Sequence, residues 1–323
     1  MGHKILNQIS LVKRKGITLN TQMVLALVVI GIWIFLSLTT PRFLTYENIK
    51  NIMRQMAIQG VLGVAAVIVI ITAGIDLSVG SIVALVNITL SLMTTHGGSI
   101  AGSIFTCLLL SAFLGFLNGV MVYDLKLPPF IATLGMMSIA RGITLLISGG
   151  RNVFGLPRIL ADFASADFLG IPTLFWFLIM VVFLGELILR YTKFGRYLFA
   201  VGSNVEAARL SGVNIRLVTY GAYTFAAALA GFAGVLETAR LWMGVPTTGT
   251  GYELDAIAAA VIGGASLAGA EGSAIGAFFG ALVMTTIYNG SVHLNVNPFW
   301  QRIIVGLIIV AAVGVDQLRK RRR

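Results

Sequence analysis

Between Lys15 and Arg42 the chain carries no charge, and stretches of the same kind recur along its length. A bilayer core about 30 Å thick needs roughly 20 mostly apolar residues per helix, so each such stretch is long enough to cross a membrane. The composition agrees: 57% of the 323 residues are hydrophobic and only 11% are charged, against about a quarter charged in soluble domains. An integral membrane protein of about ten spans is expected, with no room for a soluble domain. The first run is too long for the core of a signal peptide and lacks a small-residue cleavage site, so it reads as an uncleaved first span. The lone cysteine, Cys107, lies in the apolar run IFTCLLLSAF. It is expected to pack as a small apolar side chain.

Charge-free runs and turn signals predict an all-α polytopic fold with helices at about 20–39, 57–73, 78–95, 101–122, 130–148, 171–190, 217–238, 254–268, 272–289 and 298–315. The net charge of +11 is no argument for nucleic acid, because in a membrane protein the placement of Lys and Arg outweighs their sum. With the N-terminus in the cytoplasm, fifteen of the 23 basic residues fall on inner segments, among them Lys4, Lys13, Arg14, Lys15, Lys193, Arg209 and the final run from Arg319 to Arg323. Both termini are therefore expected in the cytoplasm, and the segment at about 191–216 becomes the largest cytoplasmic loop of a single transmembrane domain spanning 1–323.

The two halves of the chain share landmarks. NGVMVYDLKLPPF, with Asn118 and Phe130, is matched by NGSVHLNVNPFW, with Asn289 and Phe299, and GIDLSVGSIVAL from Gly74 faces GYELDAIAAAVI from Gly251. The offsets of 118 to 289, 129 to 298 and 74 to 251 are 171, 169 and 177 residues. The first copies fall on the inner side and the second on the outer side, so spans 2–5 and 7–10 are expected to form an inverted repeat. Span 8, at 254–268, would reach only about 22 Å and is expected as a short helix held inside the protein. Gly272, Gly276 and Gly280, and likewise Ala226, Ala230 and Gly234, recur every fourth residue, a spacing that lets helix backbones approach closely.

The polar stretch TKFGRYLFAVGSNVEAARLSGVNI interrupts this apolar chain at 192–215. Ser203 and Glu206 have the spacing of a capping box and Gly212 that of a left-handed helix end, which predicts a helix of about two turns. Glu206, Ala207, Ala208 and Gly212 also match the E-A-A-x-x-x-G core found in the cytoplasmic loop of ATP-binding-cassette importer permeases, without the I-x-L-P that often follows it. AGIDLSVGS, PPFIATLGMMSIARG, TKFGRYLFAVGSNVEAARLSGVN and GYELDAIAAAVIGGASLAGAEGS extend this into a resemblance, over nearly all of spans 2 to 10, to the permease subunits of ribose-type sugar importers. The resemblance implies a coupling helix that contains Ser203, Glu206, Ala207, Ala208, Arg209 and Gly212. It implies three partners: an ATPase subunit that grips the loop, an extracytoplasmic sugar-binding protein, and a second permease chain, identical or related. No G-x-x-x-x-G-K-[ST] occurs, so ATP and Mg are expected on the ATPase and no cofactor or catalytic residue on this chain.

A charge at the bilayer centre costs about 2.5 to 3.5 kcal/mol, so charges in or beside apolar runs need a reason. Asp76 either caps the helix that follows it or lies beside the transport path. Asp255, with Glu253, either complements a helix dipole or serves the path. Arg141 is expected to pair with a carboxylate of the other half or to reach outward, with contact to sugar in the path as the alternative. Glu186 and Glu237 lie near helix ends, within reach of headgroups. Asn118, Phe130, Asn289 and Phe299 complete the candidate path. The expected function is the permease subunit of an ATP-driven monosaccharide importer. The alternatives are cargo of a nucleoside or furanosyl autoinducer type, a secondary transporter driven by an ion gradient, and a membrane scaffold.

Overall fold

The computed structural model describes residues 21–321. Its helices are α1 (Thr21–Thr39), α2 (Tyr46–Ile71), α3 (Val79–Thr95), α4 (Ile100–Tyr123), α5 (Pro129–Ser148), α6 (Arg158–Ser165), α7 (Thr173–Tyr191), α8 (Lys193–Ser203), α9 (Val205–Leu210), α10 (Ile215–Leu241), α11 (Tyr252–Ile262), α12 (Ala274–His293) and α13 (Pro298–Arg321). A two-residue hairpin, β1 (Asp167–Phe168) with β2 (Ile171–Pro172), lies between α6 and α7. Lys4, Lys13, Arg14, Lys15, Arg322 and Arg323 lie outside the described residues.

Among the described residues seven helices, α1, α2, α4, α5, α7, α10 and α12, are long and apolar enough to cross a membrane. The protein is thus an all-α polytopic membrane protein, close to the architecture expected. The expected span at 298–315 falls within α13, and the expected spans at 78–95 and 254–268 are the shorter helices α3 and α11, of 17 and 11 residues. α11 stops at Ile262, not at 268, because two adjacent glycines follow and Gly264 takes a positive φ of 95°, a conformation that costs glycine little.

α2 is the axis of the bundle. From Met56 to Ile71 almost every residue is buried, as expected of a helix that is apolar all round, and it packs against α7, α10, α11 and α12. It begins eleven residues before the expected start. Its polar first turns lie outside any apolar run, and there Lys50 pairs with Asp167 of the hairpin at 2.5 Å, with Arg54 at 3.6 Å from the same carboxylate. By contrast α4 turns Phe105, Leu109 and Phe113 outward and buries Ser103, Cys107 and Ser111. Cys107 packs there as a small side chain, its Sγ 3.9 Å from the Val86 carbonyl oxygen.

Small residues set the closest contacts. A side chain at Gly276 or Gly280 would strike the backbone of Gly263 or Ala259, which fastens α12 to α11, and one at Gly234 would come within 2.9 Å of Val86 Cβ. Lipid supplies no hydrophobic push between helices, so such close approach is a main source of association.

The bundle has two poles. One carries α8 and α9, here the loop pole; the other carries the β1–β2 hairpin, the hairpin pole. Asn118 bonds to Ser78 in the half near the loop pole. Asn289 exchanges two hydrogen bonds with Asn48 near the hairpin pole, at 2.8 and 2.9 Å. Pro129 borders the loop-pole cavity, whereas Pro298 starts α13 after α12 has reached the hairpin pole. Two of the three landmark pairs therefore lie at opposite ends, as an inverted repeat requires, while the segment of the third, before Gly251, meets the start of α3 with Gly249 against Gly80.

Candidate functional site

The polar stretch folds as two helices, not one. Thr192 caps α8 by accepting from Gly195 N at 3.1 Å. α8 buries Leu198 and Val201 and brings Gly202 against the Ile71 carbonyl so closely that a side chain there has no room. Ala270 N also donates to Ile71 O, at 2.9 Å. The C-terminus of α2 is thus joined by backbone contact to both α8 and the segment leading to α12.

The capping box expected of Ser203 and Glu206 is not formed. Ser203 is the last residue of α8, and Asn204, with φ of −161°, caps α9 by accepting from Ala207 N at 2.9 Å. An Asn side chain in an extended N-cap reaches the N3 amide as a serine would, which shifts the start by one residue. Glu206 instead pairs with Arg209 at 3.4 Å on the surface. Gly212, at φ of +81°, ends the helix through Gly212 N to Arg209 O and Val213 N to Ala208 O. Ala208 is buried, whereas Ala207 and Leu210 face outward, Leu210 at 88% exposure. α9 is a rigid, capped, two-faced element.

Beneath it lies a cavity of about 690 Å³ bordered by Gly74, Lys126, Val205, Arg209, Thr219 and Tyr223. Tyr223 is 1% exposed and its hydroxyl has no hydrogen-bond partner. A side chain at Gly74 would come within 2.7 Å of that hydroxyl, so glycine is what lets the phenol reach the cavity. Deeper in, Asp76 Oδ1 accepts from Ser78 N at 2.8 Å and from Ser78 Oγ at 2.6 Å, and Ser78 Oγ accepts from Asn118 Nδ2 at 3.0 Å. Asp76 does organise the start of α3. Yet Asp76 Oδ2 and Asn118 Oδ1 are buried without partners, and each such group costs about 1–3 kcal/mol. Three unpaired polar groups near one cavity are a readiness for hydroxyl ligands that packing alone does not require. Tyr223 had no signal in the sequence beyond being the second of two tyrosines in an alanine-rich span.

The other candidates are dispersed. Arg141 donates to Pro246 O at 2.7 Å and Thr248 O at 2.8 Å, so its hydrogen bonds to the second half run to carbonyls, while the Glu253 carboxylate of that half is near enough to act on its charge. Asp255 accepts from Tyr288 at 2.7 Å. Phe130 and Phe299 stand on the exposed surface. Glu186 and Glu237 are buried, contrary to the headgroup expectation. Glu186 pairs with Arg190 and accepts from Ile275 N. Glu237 accepts from Tyr252 at 2.9 Å and pairs with Arg240 at 3.3 Å.

The model of the family described as branched-chain amino acid transport system / permease component matches residues 48–313. The chain belongs to that family. Among its relatives the permease is 38% identical over 288 residues to the ribose import permease protein RbsC of Escherichia coli K12, covering 88% of this chain and 90% of the relative. It is 38% identical to RbsC of Bacillus subtilis 168, over 88% of this chain and 89% of the relative. It is 34% identical to the autoinducer 2 import system permease protein LsrC of Salmonella typhi, over 94% and 87%. No solved structure matches the permease.

Proposed function

We propose that the permease forms the translocation pathway of an ATP-driven, binding-protein-dependent importer for a monosaccharide such as a ribose-like pentose. The observation that carries this reading is the capped, two-faced α9 seated over a cavity that the unpaired Tyr223 phenol lines, with the unpaired acceptors of Asp76 and Asn118 buried in the segments that follow Gly74 and precede Val122. Full-length similarity to ribose import permeases supports the cargo class. In this reading the loop pole faces the cytoplasm with both termini, and a separate ATPase subunit binds ATP and Mg and grips α9 around Glu206, Arg209 and Leu210. A binding protein delivers sugar at the hairpin pole, and a second permease chain completes the passage. Nucleotide-driven movement of α9 passes through Gly202 and Ile71 to the end of α2, biasing access toward one pole or the other.

A furanosyl cargo of the autoinducer type is the second reading. It is favoured by the autoinducer 2 permease relative, which matches a larger share of this chain. Reconstitution of the permease with its ATPase and binding protein tests both. ATP-dependent uptake of D-ribose is expected. Glu206→Arg and Gly212→Pro should insert normally but lose most uptake and sugar-stimulated ATP hydrolysis; normal rates in both would remove the coupling role. Uptake by the permease alone along an ion gradient would replace the ATP-driven reading with a secondary transporter.

A further inference from the structure

In the half of the bundle near the hairpin pole, a smaller chamber of about 100 Å³ is lined by Gln55, Gln59, Arg240, Tyr252, Thr285 and Tyr288, with Ile58 as its one apolar side chain. α2 of the first half supplies the two glutamines, while α10, α11 and α12 of the second half supply the rest, so the chamber straddles the repeat boundary.

Its hydrogen bonding is half committed and half free. Tyr252 donates its proton to Glu237 at 2.9 Å and Tyr288 donates to Asp255 at 2.7 Å, so both phenol oxygens keep lone pairs to offer as acceptors. Thr285 is 2% exposed, and its Oγ1 has no partner; nor has Gln59 Oε1. Arg240 is a donor whose charge is matched by Glu237 at 3.3 Å. Apart from Ile58 the lining therefore offers both donors and acceptors, and the Arg240 charge is matched by Glu237. A bare cation is a poor fit, since no cluster of three metal-ligating side chains occurs among the described residues. Neutral adjacent hydroxyls, each both donor and acceptor, fit well.

We propose that this chamber is a hydroxyl-recognition subsite for a small polyol, holding one edge of a pentose-sized ring as cargo enters from the hairpin pole. By volume it takes several water-sized groups, which suits two or three hydroxyls and not a whole sugar. The inference deepens the importer reading and rests on it for the direction of travel. It assigns the first contact to Thr285 and Gln59, and the cavity at the loop pole becomes the later station.

The test uses the full chain in membrane vesicles. Cys107, the only cysteine, is replaced by Ser, and Gln55→Cys is introduced at the chamber lining. The rate of modification by 2-aminoethyl methanethiosulfonate is then measured with and without D-ribose. Ribose should slow the reaction several-fold, and a polyethylene glycol too large to enter should not. Thr285→Val should weaken this protection about two- to tenfold, the worth of one hydroxyl hydrogen bond, and Thr285→Ser should preserve it. Gln59→Met serves as a second variant if Thr285→Val does not insert. Protection by D-xylose or glycerol but not by D-ribose would keep the chamber and overturn the proposed cargo. Protection by no polyol, equal slowing by the large polymer, or protection untouched by both Thr285→Val and Gln59→Met would overturn the chamber.

Discussion

At the scale of single residues, the informative groups are those the fold buries and leaves unpaired. Tyr223 is the clearest. Its ring packs with Ala65, Val69 and Ala226, while its hydroxyl bonds to nothing. An unmade hydrogen bond costs free energy, whereas deleting the group returns it. Tyr223→Phe should therefore leave the thermal unfolding midpoint unchanged or raise stability by up to about 1 kcal/mol, while lowering sugar uptake by the reconstituted complex. A midpoint that falls together with uptake would mark the hydroxyl as structural. Glu237 and Glu186 carry a related lesson. Their sequence neighbourhoods place them near helix ends, but partners on other helices, Tyr252 and Ile275, hold them buried.

At the scale of elements, the pair α8–α9 shows how a one-residue shift in a cap changes a mechanism. The capping-box spacing at Ser203 and Glu206 is a true local signal, yet Asn204 is the better competitor because α8 continues through Ser203 and leaves Asn204 alone in an extended conformation. Asn204→Ala should speed amide exchange across 205–211 and reduce sugar-stimulated ATP hydrolysis, since losing such a cap costs a helix about 1 kcal/mol. Ser203→Ala should change neither. The reverse ranking in hydrogen exchange would restore the capping box. α8 itself went unforeseen because its buried positions, Leu198 and Val201, are set among basic and aromatic residues in a sequence that reads as a polar loop. α11 was overextended for the opposite reason: alanine continues the apolar count past Ile262, while the glycines at 263 and 264 end the helix.

At the scale of the whole molecule, two of the three landmark pairs stand at opposite poles, and the loop-pole cavity and the smaller chamber do the same. The loop-pole cavity lies beside the entry to α3, and the smaller chamber lies beside α11, two short helices entered by the non-helical segments 72–78 and 243–251. Non-helical backbone at membrane depth is tolerated where protein buries it or where it lines a cavity, so these breaks and the cavities belong together. The orientation of the poles can be read directly. In a Cys107→Ser background, Lys193→Cys should react with an impermeant thiol reagent only after the cells are opened. Leu169→Cys, 79% exposed in the hairpin loop, should react in intact cells. Labelling of Lys193→Cys from outside would reverse the molecule and end the coupling reading of α9.

The sequence by itself determined the all-α polytopic plan, the rough limits of most apolar helices and the presence of a capped helix in the polar loop. These depend on properties summed over neighbouring residues: transfer of a run of side chains to lipid, the reach of a cap, the positive φ that suits glycine. Only the tertiary structure decided which polar atoms find partners. Asn48 and Asn289 meet across 241 residues of chain, Arg141 finds carbonyls near Thr248, and Tyr223 and Thr285 find nothing. A hydrogen bond requires two groups within about 3 Å. That condition is set by how the helices pack, and the run of residues around either partner does not contain it.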